Sequence, residues 1–139
     1  APPPPPVVAA APAAPTVPAP LRRMVPFPVV RVAGRFVGRS TRLTIVSIRA
    51  PKAARVIIRC TGGGCPFARR SFRTVSDRRS IRVRALQGRV VGPGTVLDIR
   101  VAQPGWIGKR TRLRFVPQRA PRRFDGCVSP SGAPQGCPA

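Results

Sequence analysis

The 139-residue chain contains no His, Tyr, Glu or Asn, and its only acidic side chains are Asp77, Asp98 and Asp125. General acid–base catalysis would rest on those three carboxylates, each far from the others in sequence, with no imidazole to activate a serine or a thiol. No enzymatic activity, cofactor or small-molecule substrate is therefore expected, and each Asp reads as a turn residue or a partner for arginine. The absence of Asn excludes N-linked glycosylation. Residues 1–21 are uncharged but too rich in proline to cross a membrane as a helix. No other run approaches the roughly 18 apolar residues that such a span needs. No stretch carries a sustained helical period.

What the chain has in excess is positive charge. Lys and Arg number 26, the formal charge is +23, and the apolar fraction of 42% is ordinary for a folded protein. Arginine dominates lysine, a bias that GC-rich coding alone can produce. Even so, Arg110, Arg112 and Arg114 are spaced to line one face of a strand, and Arg82 with Arg84 another. Such ladders grip phosphates or carboxylates bidentately, which makes an anionic polymer or surface glycan a candidate partner.

Composition divides the chain. Residues 1–20 hold nine Pro, seven Ala, three Val and one Thr, the signature of an extended, largely polyproline II segment. The reading is an arm over residues 1–25, a domain over 26–118 and a disulfide-closed tail over 119–139. Within the domain, β-strands are predicted at residues 29–33, 42–50, 54–60, 71–75, 80–86, 95–101 and 111–116. Ile81, Val83 and Ala85 alternate with Arg82 and Arg84, and Leu97, Ile99 and Val101 alternate with Asp98 and Arg100. Turn glycines at positions 34, 38, 62–64, 88, 92, 94 and 105 separate the runs. Their spacing matches no phosphate-binding loop. The expected fold is all-β: a single seven-stranded immunoglobulin-like β-sandwich with an extended Pro-rich N-terminal arm. Trp106 reads as a plug at the sandwich edge rather than a stacking platform, and the six Phe as core or interface residues.

Four cysteines in a small basic chain suggest disulfides and an oxidising, extracellular compartment. Three pairings exist. Cys60 with Cys65, across Thr61 and three glycines, and Cys127 with Cys137 are the favoured pairs. A four-cysteine zinc site is the alternative, although spacings of four and nine intervening residues are unlike those of zinc knuckles. The chain starts at Ala1 rather than Met, as expected of a secreted protein after removal of a signal peptide.

The run Val56-Ile57-Ile58-Arg59-Cys60 leading to Cys65-Pro66, and the later Gly94-Thr95-Val96-Leu97, resemble secreted β-sandwich domains of high-GC bacteria. The order of parts resembles secreted pilin-type subunits, whose N-terminal extension docks on or completes a neighbour. That resemblance implies a structural subunit of a non-covalent, head-to-tail extracellular filament. Pro2, Pro6, Val7, Val8, Val17, Leu21, Val25, Phe27 and Val29 would then link subunits. The uncharged arm, unsuited to be a solvated tail, agrees with burial against another copy. Against it stands the charge, which opposes close packing unless it is screened. The alternative is a monomeric secreted module that binds a cell-wall polymer or nucleic acid through Arg82, Arg84, Arg110, Arg112 and Arg114.

Overall fold

The computed structural model describes residues 1–6 and 21–138, and among these no residue is helical. Eleven strands occur: β1 (Arg22–Arg23), β2 (Val29–Val37), β3 (Ser40–Arg49), β4 (Arg55–Thr61), β5 (Arg69–Arg73), β6 (Ile81–Arg82), β7 (Val90–Val91), β8 (Val96–Gln103), β9 (Trp106–Arg114), β10 (Arg122–Val128) and β11 (Pro134–Gln135). The larger sheet runs β11-β10-β9-β8-β4-β5, with β1 beside the start of β9, and it curls into a half-barrel. The smaller sheet runs β2-β3-β6, and β7 pairs with β3. All pairings are antiparallel except β1 with β9.

Alternation decides which face each strand buries. Val56, Ile58 and Cys60 of β4, Leu97, Ile99 and Val101 of β8, and Leu113 of β9 point inward from the larger sheet. Leu43, Val46 and Ile48 of β3 and Val30 of β2 meet them from the smaller one. The core is thus built from β-branched and leucine side chains, each fully buried residue contributing about 1.5–3 kcal/mol of transfer free energy. Trp106 and Phe67 are half-buried against the core.

Several expected elements differ. The predicted strand at residues 80–86 is only Ile81–Arg82, because the chain leaves the β3 edge to bury Leu86 and then returns as β7. Backbone hydrogen bonds from Val83 N to the Val46 carbonyl and from Gly88 N to the Leu43 carbonyl hold the excursion. Gly34 is not a turn residue: it lies inside β2 at a register shift, and the turn falls at Gly38. Strand β9 begins five residues before the expected position 111. Of the phenylalanines expected in the core or at an interface, Phe36 and Phe124 are 56% and 59% exposed and so lie outside the core.

Residues 119–138 supply β10, which pairs with β9 along its whole length, and β11. At the other end, Arg22 and Arg23 pair with Trp106 and Ile107, and Met24 is buried in the core, its N–H donating to the Ile107 carbonyl. Of the arm, Pro2 and Pro6 lie exposed without regular structure, and Val7, Val8 and Val17 fall outside the described residues. Leu21, Val25 and Val29 are exposed, and Phe27 is half-buried beneath the Arg23 and Lys109 cations.

Disulfides join Cys60 to Cys65 and Cys127 to Cys137, so all four cysteines are bonded and none is left as a zinc thiolate. The first closes the glycine loop, which is clamped by hydrogen bonds from Gly92 N and Thr95 Oγ1 to the Gly63 carbonyl. Close approach also explains Gly108, where a Cβ would lie 1.9 Å from the Val101 carbonyl oxygen. Gly108→Ala is expected to lower stability by about 1–3 kcal/mol or more, whereas Gly136→Ala, open to solvent, should be close to neutral; urea unfolding of both variants checks the contrast.

Candidate polyanion-binding face

The inward positions of the central strands β4 and β8 are apolar, so their alternate positions fall on the outer face of the larger sheet, and cross-strand register arranges these with their neighbours in rows. One row reads Arg122, Arg114, Val96, Thr61; the next reads Phe124, Arg112, Asp98, Arg59, Arg69. A third reads Gly126, Arg110, Arg100, Ile57, Ser71, and β4 and β5 add Arg55 opposite Arg73. Nine arginines therefore share this face with one carboxylate.

Four pairs are directly opposed: Arg122 with Arg114, Arg110 with Arg100, Arg59 with Arg69, and Arg55 with Arg73. Directly opposed like charges, with Cβ atoms about 5 Å apart, destabilise a sheet. Asp98 relieves one pair: its carboxylate accepts from Arg100 Nε at 3.2 Å and from Arg110 Nη2 at 2.9 Å and Nε at 3.2 Å. The Arg100 guanidinium also donates to the Gly132 carbonyl at 3.1 Å. Both arginines are largely covered, at 22% and 17% side-chain exposure. The other seven are exposed, and among the described residues none of them has a carboxylate partner. A depression of about 360 Å³ lies within the patch, lined by Arg55, Arg59, Arg69 and Arg100 and walled by residues 131–133.

The five arginines read from the sequence as anion ligands are thus divided. Arg112 and Arg114 stand free on the large face, while Arg110 is committed to Asp98. Arg82 lies on the outer face of the smaller sheet in register with Ser47 and Arg31, and Arg84 lies in the excursion after β6, so the two form no ladder. Sequence reasoning missed Arg55, Arg59, Arg69, Arg73 and Arg122 because their grouping depends on which strands pair. The signal within reach was β4 itself, where Arg55, Ile57 and Arg59 alternate with Val56, Ile58 and Cys60.

The inward side of β10 has a different character. Arg123 spans the gap to the smaller sheet, donating to the Val30 carbonyl at 2.8 Å. Its Nε donates to Asp125 at 2.8 Å, and Asp125 also accepts from the buried Thr111 hydroxyl at 2.7 Å, with Lys109 Nζ 3.7 Å away. Burial alone would push the Asp125 carboxyl up. Hydrogen bonds from Arg123 and Thr111, with the charges of Arg123 and Lys109, outweigh it and hold the group below its ordinary value of 3.8. Asp77, in the loop after β5, uses its backbone carbonyl to accept from Arg49. Among the described residues no three metal-ligating side chains come together, and no helix is long and apolar enough to cross a membrane.

No protein-family model matches the chain, and no similar curated protein or solved structure was found.

Asp125 makes a prediction with a definite sign. Its pKa is depressed on folding, so its stabilising contribution is present above the unfolded value near 4 and is lost as pH falls through the folded value. Asp125→Asn should be less stable than the parent at neutral pH and converge with it in acid, as read by thermal melts across that range; a gap independent of pH contradicts the assignment.

Proposed function

We propose that the protein is a non-catalytic extracellular module that holds an anionic polymer on the outer face of its larger sheet. The observation that carries this reading is the set of seven exposed arginines gathered around a cluster that Asp98 holds together. A sheet that places like charges directly opposite one another loses stability unless something compensates them, and a polymer with closely spaced anions does so at every position. The paired disulfides support an oxidising compartment. An immunoglobulin-like sandwich is supported by the order β2-β3-β6 against β5-β4-β8-β9, in which the chain changes sheet after β3, β5 and β7. On this view β1, β10 and β11 are additions at the margin of the larger sheet.

Binding of long-chain polyphosphate to the full chain tests the function. With about seven contacts, the logarithm of affinity should fall with the logarithm of salt concentration at a slope near −5, the value for a flexible single-stranded polyanion. Replacing Arg59 and Arg69 together by Gln should reduce that slope by about 1.4 while raising stability by about 0.2–1 kcal/mol, because an opposed pair is removed. Arg31→Gln with Arg49→Gln, on the other sheet, should leave the slope unchanged. Absence of binding at low salt, or equal slopes in all three proteins, would refute the assignment.

A second reading, a head-to-tail filament subunit, is favoured by one feature. The chain enters β1 beside Trp106, whereas an apolar groove of about 270 Å³ opens at the far end of β9, lined by Val32, Phe36, Leu43, Phe115 and Pro121. An arm leaving one pole and a groove at the other suit a heterologous contact that propagates. Electron microscopy of the full chain at moderate salt should then reveal fibres, lost when Val7→Arg and Val8→Arg place charge in the uncharged arm; dispersed particles from the unaltered chain reject the filament.

A further inference from the structure

We infer that the polymer held on the larger sheet is single-stranded nucleic acid, with Phe124 as the platform on which a base stacks. This rests on the polyanion-binding reading above and adds the ligand class. Phe124 is 59% exposed and shares the arginine face, directly opposite Arg112 on β9 and two residues from Arg122 on its own strand. Its orientation is set by Gly126, the next outward position along β10. A Cβ built at Gly126 would lie 2.9 Å from Phe124 Cε1 and 3.3 Å from Cζ. The ring therefore folds over the space that a side chain at position 126 would fill, instead of standing away from the sheet.

A single exposed apolar ring is ordinary on a protein surface; what sets Phe124 apart is its place among cations, opposite Arg112 and on the same outer face as Arg122 and Arg114. The chemistry around it has two components. Arg112, Arg114 and Arg122 supply charge-assisted donors for phosphates within one or two strand spacings, about 5–10 Å. Phe124 supplies a π-face, which every nucleobase matches regardless of sequence. Polyphosphate and wall phosphodiesters present anions without a flat apolar face, so Phe124 would be idle in binding them. In a duplex the faces of the bases are already stacked, which makes the single strand the fitting form. The arrangement carries no donor and acceptor pattern for base edges, so little sequence preference is expected.

The test uses the full chain and three polymers of equal charge: a labelled thymidine oligonucleotide of about 16 residues, an abasic oligonucleotide of the same length, and polyphosphate. The unaltered protein should bind the thymidine strand at least about 5-fold more tightly than the abasic strand, the lower bound for one base stack. Phe124→Ala and Phe124→Leu should abolish that preference and leave affinity for the abasic strand and polyphosphate within about twofold, while Phe124→Trp retains it. Unchanged melting curves verify that each variant is folded.

Equal affinity of the parent for the thymidine and abasic strands overturns the inference, as does a uniform effect of Phe124→Ala on all three polymers. So does tighter binding of a duplex, or of a sulfated polysaccharide whose affinity depends on Phe124, when these two are measured beside the three polymers. In each of those cases the polyanion reading survives. Failure of all three polymers to bind at low salt removes both.

Discussion

The folded chain is organised by a shortage of negative charge: 26 cationic side chains share three carboxylates. Two of the three are placed where they do the most. Asp98 stands in the middle of the arginine face and takes hydrogen bonds from β8 and β9 at once, turning an opposed Arg100–Arg110 pair into a bridged one. Asp125 sits on the inward side of β10 and secures Arg123, which in turn reaches across to the smaller sheet. Among the described residues no Lys or Arg is buried; alternation along β4 and β8 puts their arginines on the outer face, and most of the other cations lie at sheet margins or in loops. Hydrophobic burial, rather than ion pairing, carries the stability, since exposed ion pairs contribute about 0–1 kcal/mol each.

Sheet width explains the polar inward positions at one margin. The smaller sheet is effectively three strands wide, because β6 and β7 occupy successive parts of one edge of β3. The larger one extends past it by β10 and β11. Inward positions on β10 are therefore beyond the apolar cover, and Arg123 and Asp125 fill them with an ion pair and hydrogen bonds where an apolar side chain would face water. Further along the same strand, Cys127 and Val128 are again buried, and the Cys127–Cys137 disulfide fastens the end of the chain to the sheet.

That overhang is also why part of the fold was hidden in the sequence. Strands with a covered inner face, such as β4 and β8, announce themselves through Val56-Ile57-Ile58 and the alternation of Leu97, Ile99 and Val101. Strand β10, reading Arg-Arg-Phe-Asp-Gly-Cys-Val, offers no such pattern because its first two inward residues, Arg123 and Asp125, answer to hydrogen-bond partners rather than to burial. The Ile81 to Ala85 alternation misled for the opposite reason: the apolar residues do turn inward, but Leu86 enters the core by leaving the strand. The local disulfide pairs were legible from spacing, since a three-glycine loop brings Cys60 and Cys65 together without help from the rest of the fold. The arginine face was legible only in part. Arg112 and Arg114 follow from one strand's alternation, whereas their convergence with Arg59, Arg69 and Arg122 is a property of pairing order between segments up to 63 positions apart. Phe124 could not be assigned to that face before β10 was recognised.

The two functional readings are coupled by the same charge. A +23 subunit placed against another in physiological salt meets unscreened repulsion wherever their surfaces come within about 8 Å, the Debye length there. The proline-rich segment and the groove beside Phe36 are free of charged side chains, so contact between them would escape the local penalty. The arginine faces of adjoining subunits would not. A polymer laid along those faces neutralises them and, being long, bridges successive subunits without requiring any protein surface to be complementary to another. Assembly that depends on polymer and polymer binding that is strengthened by assembly are then one linked equilibrium. Polymer would then lower the protein concentration at which subunits associate, most of all at low salt, where repulsion between the arginine faces reaches furthest.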